Sequence, residues 1–150
     1  MPRSATISLW VGTRKGAFCF KSTNRKTWDA AGPFLSGEEV QHLAQDPRDP
    51  KRFYAAAGNS WFGPHLYASS NNGKTWKLSE NGLALKELAG ATLKRFWNIT
   101  PGAPDELGVI YMGPIPACSI AALTMAQAGN SFPASASIPR AKNGLLARAA

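Results

Sequence analysis

An all-β fold assembled from short antiparallel strand units is predicted by three recurrences in the 150-residue sequence. The first is a short apolar run ending in glycine: Leu9-Trp10-Val11-Gly12, Tyr54-Ala55-Ala56-Ala57-Gly58 and Ile110-Tyr111-Met112-Gly113, with the glycines 46 and 55 residues apart. The second is a proline-bearing turn that joins two β-like runs, at Leu43-Ala44-Gln45-Asp46-Pro47-Arg48-Asp49-Pro50 and again at Asn98-Ile99-Thr100-Pro101-Gly102-Ala103-Pro104-Asp105. The third is a Thr-Trp pair closing a polar turn, at Thr27-Trp28 and at Thr75-Trp76, the tryptophans 48 residues apart. A period near 50 with about four short strands is the spacing of propeller blades, whereas helical solenoids carry a 3.6-residue periodicity.

The strands follow in order. The second unit is complete, with Val40–Gln45 innermost, then Phe53–Gly58, His65–Ser69 and Thr75–Leu78 outermost. The first supplies Ile7–Gly12, Ala17–Lys21 and Thr27–Asp29, and no run precedes Ile7 to act as its innermost strand. The third begins with Phe96–Thr100 and Val109–Gly113, and there the pattern stops. The expected architecture is therefore a partial β-propeller of about two and a quarter four-stranded blades over residues 1–116. An open stack of this kind leaves an apolar face and strand edges that invite self-association.

The segment Ser69-Ser70-Asn71-Asn72-Gly73-Lys74-Thr75-Trp76 resembles the Asp-box, Ser-x-Asp-x-Gly-x-Thr-Trp, of the BNR-repeat proteins, the group that contains sialidases and sortilin-type propellers. Asn71 stands where that family has Asp, and either side chain accepts backbone N–H bonds in an Asx-type turn. The resemblance implies structural roles: Ser69 and Asn71 tie the turn, Gly73 supplies a positive φ, Thr75 closes it, and Trp76 buries a large ring to anchor the outermost strand. Val11-Gly12-Thr13-Arg14-Lys15-Gly16-Ala17-Phe18, with Trp61-Phe62-Gly63-Pro64, is similar to the opening of bacterial Asp-box proteins of the glycosyl hydrolase or exo-sialidase-like kind. The likeness extends over residues 5 to 116. It implies a full ring of six or more blades, from which this chain supplies a fragment inactive by itself. A protein- or peptide-binding scaffold without catalysis is the alternative.

Residues 117–150 read differently. They are rich in alanine and contain no acid, the last in the chain being Glu106. Codons built from the third base of one residue and the first two of the next force a glycine at the Met125/Ala126 junction and permit Asp-Asp-Gly-Ala-Ser-Trp around it. That string is a further Asp-box in step with the repeat. A frame-shifted or disordered tail is expected here. The uncharged stretch Leu107–Pro139 is long enough to cross a bilayer, but Pro114, Pro116 and Pro133 interrupt it and alanine dominates it, so no membrane span is expected.

Composition bounds the function. With 44% hydrophobic and 10% aromatic residues, global disorder is excluded. Seventeen Lys and Arg against nine Asp and Glu give a net charge of +8, but the basic pairs Arg25-Lys26, Lys51-Arg52 and Lys94-Arg95 are scattered, and no nucleic-acid stripe forms. Two cysteines and two histidines, widely separated, predict no disulfide scaffold, no metal and no cofactor. Without a signal peptide at the N-terminus, the cytoplasm is the expected compartment.

Sialidase-like chemistry requires an arginine cluster, a tyrosine nucleophile paired with a carboxylate, and a general acid. Tyr54 and Tyr111 occupy equivalent repeat positions, which points to packing. Glu38, Glu39 and His42, at the entrance to an innermost strand, are the candidates for catalysis; as a plain alternative, the glutamates form a solvated loop and His42 a half-buried strand position. Arg14, Trp61 and Arg95 are the candidates for binding a carbohydrate or protein ligand, Trp61 by stacking or else by pinning its own loop.

Overall fold

The computed structural model describes residues 5–79, 94–106, 108–115, 121–125 and 134–137. Every regular element among them is a strand, and the strands form three antiparallel sheets. Sheet 1 is β1 (Ile7–Thr13), β2 (Gly16–Ser22) and β3 (Asp29–Phe34). Sheet 2 is β4 (Glu39–Gln45), β5 (Phe53–Asn59), β6 (Gly63–Ser69) and β7 (Lys77–Leu78). Sheet 3 is β8 (Arg95–Pro101), β9 (Val109–Ile115), β10 (Ala121–Met125) and β11 (Ala134–Ser137). In each sheet, strands adjacent in sequence are adjacent in space.

The sheets stack in chain order, with sheet 2 in the middle. Along β5 the side chains alternate between two cores, as the two-residue period of a strand requires. Ala55 and Ala57 join Ala17 and Val40 in the core toward sheet 1, while Tyr54 and Ala56 join Phe96, Ile99, Ile110 and Met112 toward sheet 3. Buried on both sides, β5 is alanine-rich because small side chains let a sheet approach on each face. Gly12 serves the same end on β1: a Cβ there would fall 2.5 Å from the Val40 carbonyl oxygen, so only glycine permits this contact between sheets 1 and 2.

Polar turns end the second strand of sheet 1 and the third of sheet 2 in the same way. Ser69 Oγ accepts from the Gly73 N–H at 3.0 Å, and Asn71 Oδ1 from the Thr75 N–H at 2.9 Å. At the earlier turn Ser22 Oγ accepts from Arg25 N–H at 2.8 Å, and Asn24 Oδ1 from Lys26 and Thr27 N–H at 2.8 and 2.9 Å. Because these bonds occupy the backbone of Thr27 and Thr75, β3 begins at Asp29 and β7 at Lys77, later than the alternation alone predicts. Gly73 has φ +73°, and a Cβ on it would strike the Trp10 ring at 2.3 Å. Trp76 is half-buried, donates from Nε1 to the Gly73 carbonyl at 3.0 Å, and meets Trp10 edge-on at 6.1 Å.

Two expectations change. The third unit does not stop at β9: β10 pairs Ala121–Thr124 with Val109–Met112, and β11 pairs with β10. Low charge and small side chains, read from the sequence as a sign of disorder, do not prevent pairing to the open backbone edge of β9. The rest of the expected tail, 117–120, 126–133 and 138–150, lies outside the described residues. The repeat register also differs. The hairpin-closing bonds Asp46 N–H to Arg52 O and Gly102 N–H to Val109 O make Tyr54 equivalent to Tyr111, which sets Gly113 at the level of Ala56 and not of Gly58. The displacement is even, so the same faces stay inward.

A charged clamp joins sheets 2 and 3. Asp46, 3% exposed, takes a bidentate pair from Arg48 at 2.8 and 2.9 Å and a bond from the Tyr54 hydroxyl at 3.2 Å. The same guanidinium reaches across to the carbonyls of Ala103, Glu106 and Val109 on the β8–β9 hairpin. Burial pushes the Asp46 carboxyl up, but the Arg48 hydrogen bonds and charge, with the Tyr54 hydroxyl, outweigh it and hold it below the usual range. Burial, reinforced by the Asp46 charge, pushes Tyr54 up to about 12.

Asp46→Ala leaves Arg48 buried without its counter-ion and is expected to cost about 3–5 kcal/mol in chemical denaturation. Since the folded carboxyl titrates below its unfolded value near 3.9, the clamp's contribution is complete above about pH 4. It is lost as pH falls through the folded value. Asp46→Asn flattens that acid limb.

Candidate functional site

One end of the stack gathers four of the residues singled out from the sequence, Glu38, Glu39, Trp61 and Arg95. There the β5–β6 turn, the entry to β4 and the entry to β8 meet around a cleft of about 160 Å³ lined by Glu39, Gln41, Asn59, Ser60, Lys94 and Arg95, with Gly58, Gly63 and Pro64. Antiparallel pairing accounts for the convergence: Glu39 starts β4 opposite Gly58 at the end of β5, and Asn59 lies opposite Gly63. Glu39 and Arg95 face each other across the cleft at 3.7 Å, both partly exposed. Such a pair adds at most about 1 kcal/mol to stability, which leaves both groups free to exchange one another for a ligand.

Asn59 organises this end, and sequence reasoning missed it. Its Oδ1 accepts from the N–H groups of Trp61 and Phe62 at 3.0 and 2.8 Å, an Asx turn that holds the loop. Its Nδ2 donates to Glu38 Oε1 at 3.2 Å. The loop so held projects its aromatic rings into solvent, Trp61 89% and Phe62 78% exposed. Trp61 therefore does not pin its own loop. Trp97, on β8 between Phe96 and Asn98 where the strand bulges, is a third exposed ring at 67%. Asparagine at the end of a β-run followed by Ser-Trp-Phe-Gly is the one local signal that marked the turn.

Glu38 and Glu39 part company. Glu38 turns inward, where Oε1 accepts from Asn59 and from the Tyr67 hydroxyl at 3.1 Å, and His65 Nδ1 stands 3.7 Å away. Burial first, then the Glu38 charge, pushes Tyr67 up to about 12. Tyr67 and His65 were not singled out from the sequence, since strand alternation gives them no distinguishing mark. The cluster ties the β3–β4 connection to sheet 2, and Glu38 N–H bonds the Leu35 carbonyl at 3.1 Å within that connection.

His42 is half-buried and lies outside the cleft lining; its Nδ1 accepts from the Ile99 N–H at 3.2 Å, a bond between sheets 2 and 3. Burial lowers its pKa. Arg14 is exposed in the β1–β2 turn, also apart from the cleft lining. Tyr111, like Tyr54, bonds an acid of its own hairpin loop, Glu106 Oε1 at 2.8 Å. Ser69, Asn71, Gly73, Thr75 and Trp76 form the turn at the other end of sheet 2, so they touch no part of this cleft. Among the described residues no three His, Cys, Asp or Glu side chains converge as a metal site requires, and no helix is long and apolar enough to cross a membrane.

Compared with protein-family models and with curated proteins, the chain matches none.

Asn59→Ala is expected to release the 60–62 turn and cost about 1 kcal/mol, because Glu38 Oε1 loses one of its two donors and keeps the Tyr67 hydroxyl. Limited proteolysis between Ser60 and Gly63 should accelerate relative to global unfolding. His42 gives a second expectation. Its folded pKa lies below the unfolded value near 6.5, so its contribution is whole above that pH and declines as pH falls through the folded pKa. The thermal midpoint should drop from pH 7.5 to 5.5, and by less in His42→Gln.

Proposed function

We propose that this chain is a section of a BNR/Asp-box β-propeller and that it acts as a protein- or peptide-binding scaffold, not as a catalyst by itself. The propeller reading is supported by the stacking of three meander sheets in chain order and by the matching Ser–Asn–Thr turns at 22–27 and 69–75. It is supported further by sheet 1. The cross-strand pairs Leu9–Phe20 and Val11–Phe18 lie on the face turned away from sheet 2, and Leu9 is 51% exposed. In sheet 2 the matching face, with Ala55 and Ala57, is the one covered by its neighbour. A further sheet has a prepared seat on sheet 1.

The scaffold reading rests on one observation: the Asn59-held turn presents Trp61 and Phe62 to solvent beside a shallow cleft carrying Lys94, Arg95 and Glu39. Rigid exposed aromatics next to charged groups are the composition of a binding hot spot. Glycoside hydrolysis is the second reading, favoured by the Tyr67–Glu38 pair. Against it, the phenol is held protonated at neutral pH, and the cleft contains a single carboxylate, already facing Arg95.

Selection of a random peptide display library on the 150-residue protein tests the proposal, with Trp61→Ala/Phe62→Ala as comparison. Selected peptides should lose affinity about tenfold or more on the double variant, as truncation of aromatic anchors does. Equal enrichment on both proteins overturns the scaffold reading. Turnover of aryl sialosides or other aryl glycosides, abolished by Glu38→Gln or Glu39→Gln, replaces it with the enzymatic one. Sedimentation velocity tests the propeller reading separately: the 150-residue chain should self-associate through the Leu9 face, Leu9→Lys should reduce this, and a monomeric parent chain contradicts it.

A further inference from the structure

A second cavity, of about 570 Å³, opens between sheets 1 and 2 at the end of the stack opposite the cleft, and no residue lines both. Its walls are aromatic: Trp10 lies 5.4 Å from Phe34 and 5.4 Å from Phe53, ring centre to ring centre, each pair inclined at 48°. Buried Cys19 also lines it. At the rim stand Lys21, from β2, and Lys74, from the turn that follows β6. The volume falls within the range of small-molecule sites, which pair an apolar lining with a few placed polar groups.

The charge at this cavity is uncompensated. Both lysines are exposed, and among the described residues no Asp or Glu lines the cavity and neither ammonium has an ion-pair partner. Asp29 stands opposite Lys21 in the β2–β3 register but forms no ion pair with it. From this combination we infer that the cavity binds a small aromatic carboxylate, its ring against Trp10, Phe34 and Phe53 and its anionic group at Lys21 and Lys74. Binding is non-covalent: burial outweighs the nearby Lys21 charge and raises the Cys19 thiol pKa, so the sulfur is held as the unreactive thiol. The inference is independent of the scaffold reading, because it concerns the opposite end of the stack.

Titration of 2-naphthoate into the 150-residue protein, followed by heat release and tryptophan fluorescence, is the test, with neutral 2-naphthamide as control. One-to-one saturable binding is expected, with the amide about tenfold weaker or more, as loss of a charge-assisted contact implies. Lys21→Met and Lys74→Met, separately and together, should each weaken the carboxylate and leave the amide unchanged. Methionine keeps the side-chain length at exposed positions, and the circular dichroism of each variant reports its folding. Should the double variant fail to fold, the single variants decide. Arg95→Ala should leave affinity intact. Equal affinity for acid and amide, unchanged affinity in the lysine variants, loss of binding in Arg95→Ala, or no saturation at millimolar 2-naphthoate would each overturn the inference.

Discussion

The structure depends on one strand being buried on both faces. β5 carries Tyr54 and Ala56 into one core and Ala55 and Ala57 into the other, and each neighbouring sheet can come close only because these side chains, tyrosine apart, are methyl groups. A larger residue at Ala55 or Ala57 would overpack the space against Ala17 and Val40, a change that typically costs about 1–3 kcal/mol. Gly12 carries the same constraint to β1. Apolar contact draws the sheets together, but it is non-directional and does not decide how far one sheet slides along the next.

Directional bonds decide that. Arg48 extends from the β4–β5 hairpin to the carbonyls of the β8–β9 hairpin, while Asp46, itself bonded by the Tyr54 hydroxyl, holds the guanidinium in place. Farther along the same interface, His42 receives the Ile99 N–H. Between them these contacts place the entry of β8, with Lys94 and Arg95, beside the entry of β4, with Glu39. The cleft is thus a consequence of sheet-to-sheet alignment, and the buried charges that set it serve geometry more than net stability. At the opposite end, Trp10 packs against the rings of Phe34, Phe53 and Trp76 and the edge of Gly73, which shapes the cavity between sheets 1 and 2.

Glu38 and Glu39 show how much a single peptide step decides. Adjacent in sequence and identical in type, they cannot be told apart by pattern. In the fold one joins Asn59 and Tyr67 inside, and the other meets Arg95 at the surface. Asn59 connects the two environments, since one amide both fixes the aromatic turn and donates to one oxygen of the inner carboxylate.

Local information was sufficient for the all-β class, for the strands of sheet 2, and for the Ser69–Trp76 turn, because alternation and turn chemistry act over a few neighbouring residues. The equivalence of Tyr54 and Tyr111 was legible for the same reason. The register of the glycines was not, since Gly58 follows Tyr54 by four residues and Gly113 follows Tyr111 by two, an even step that the shared run of apolar residues ending in glycine hides. Nor were β10 and β11, whose pairing depends on the edge that β9 offers more than on any strong pattern of their own. Arg48, Asn59, His65 and Tyr67 acquired their roles only in three dimensions. Each meets a partner on another hairpin or sheet, and such meetings depend on how sheets align, which the two-residue period along a single strand does not encode.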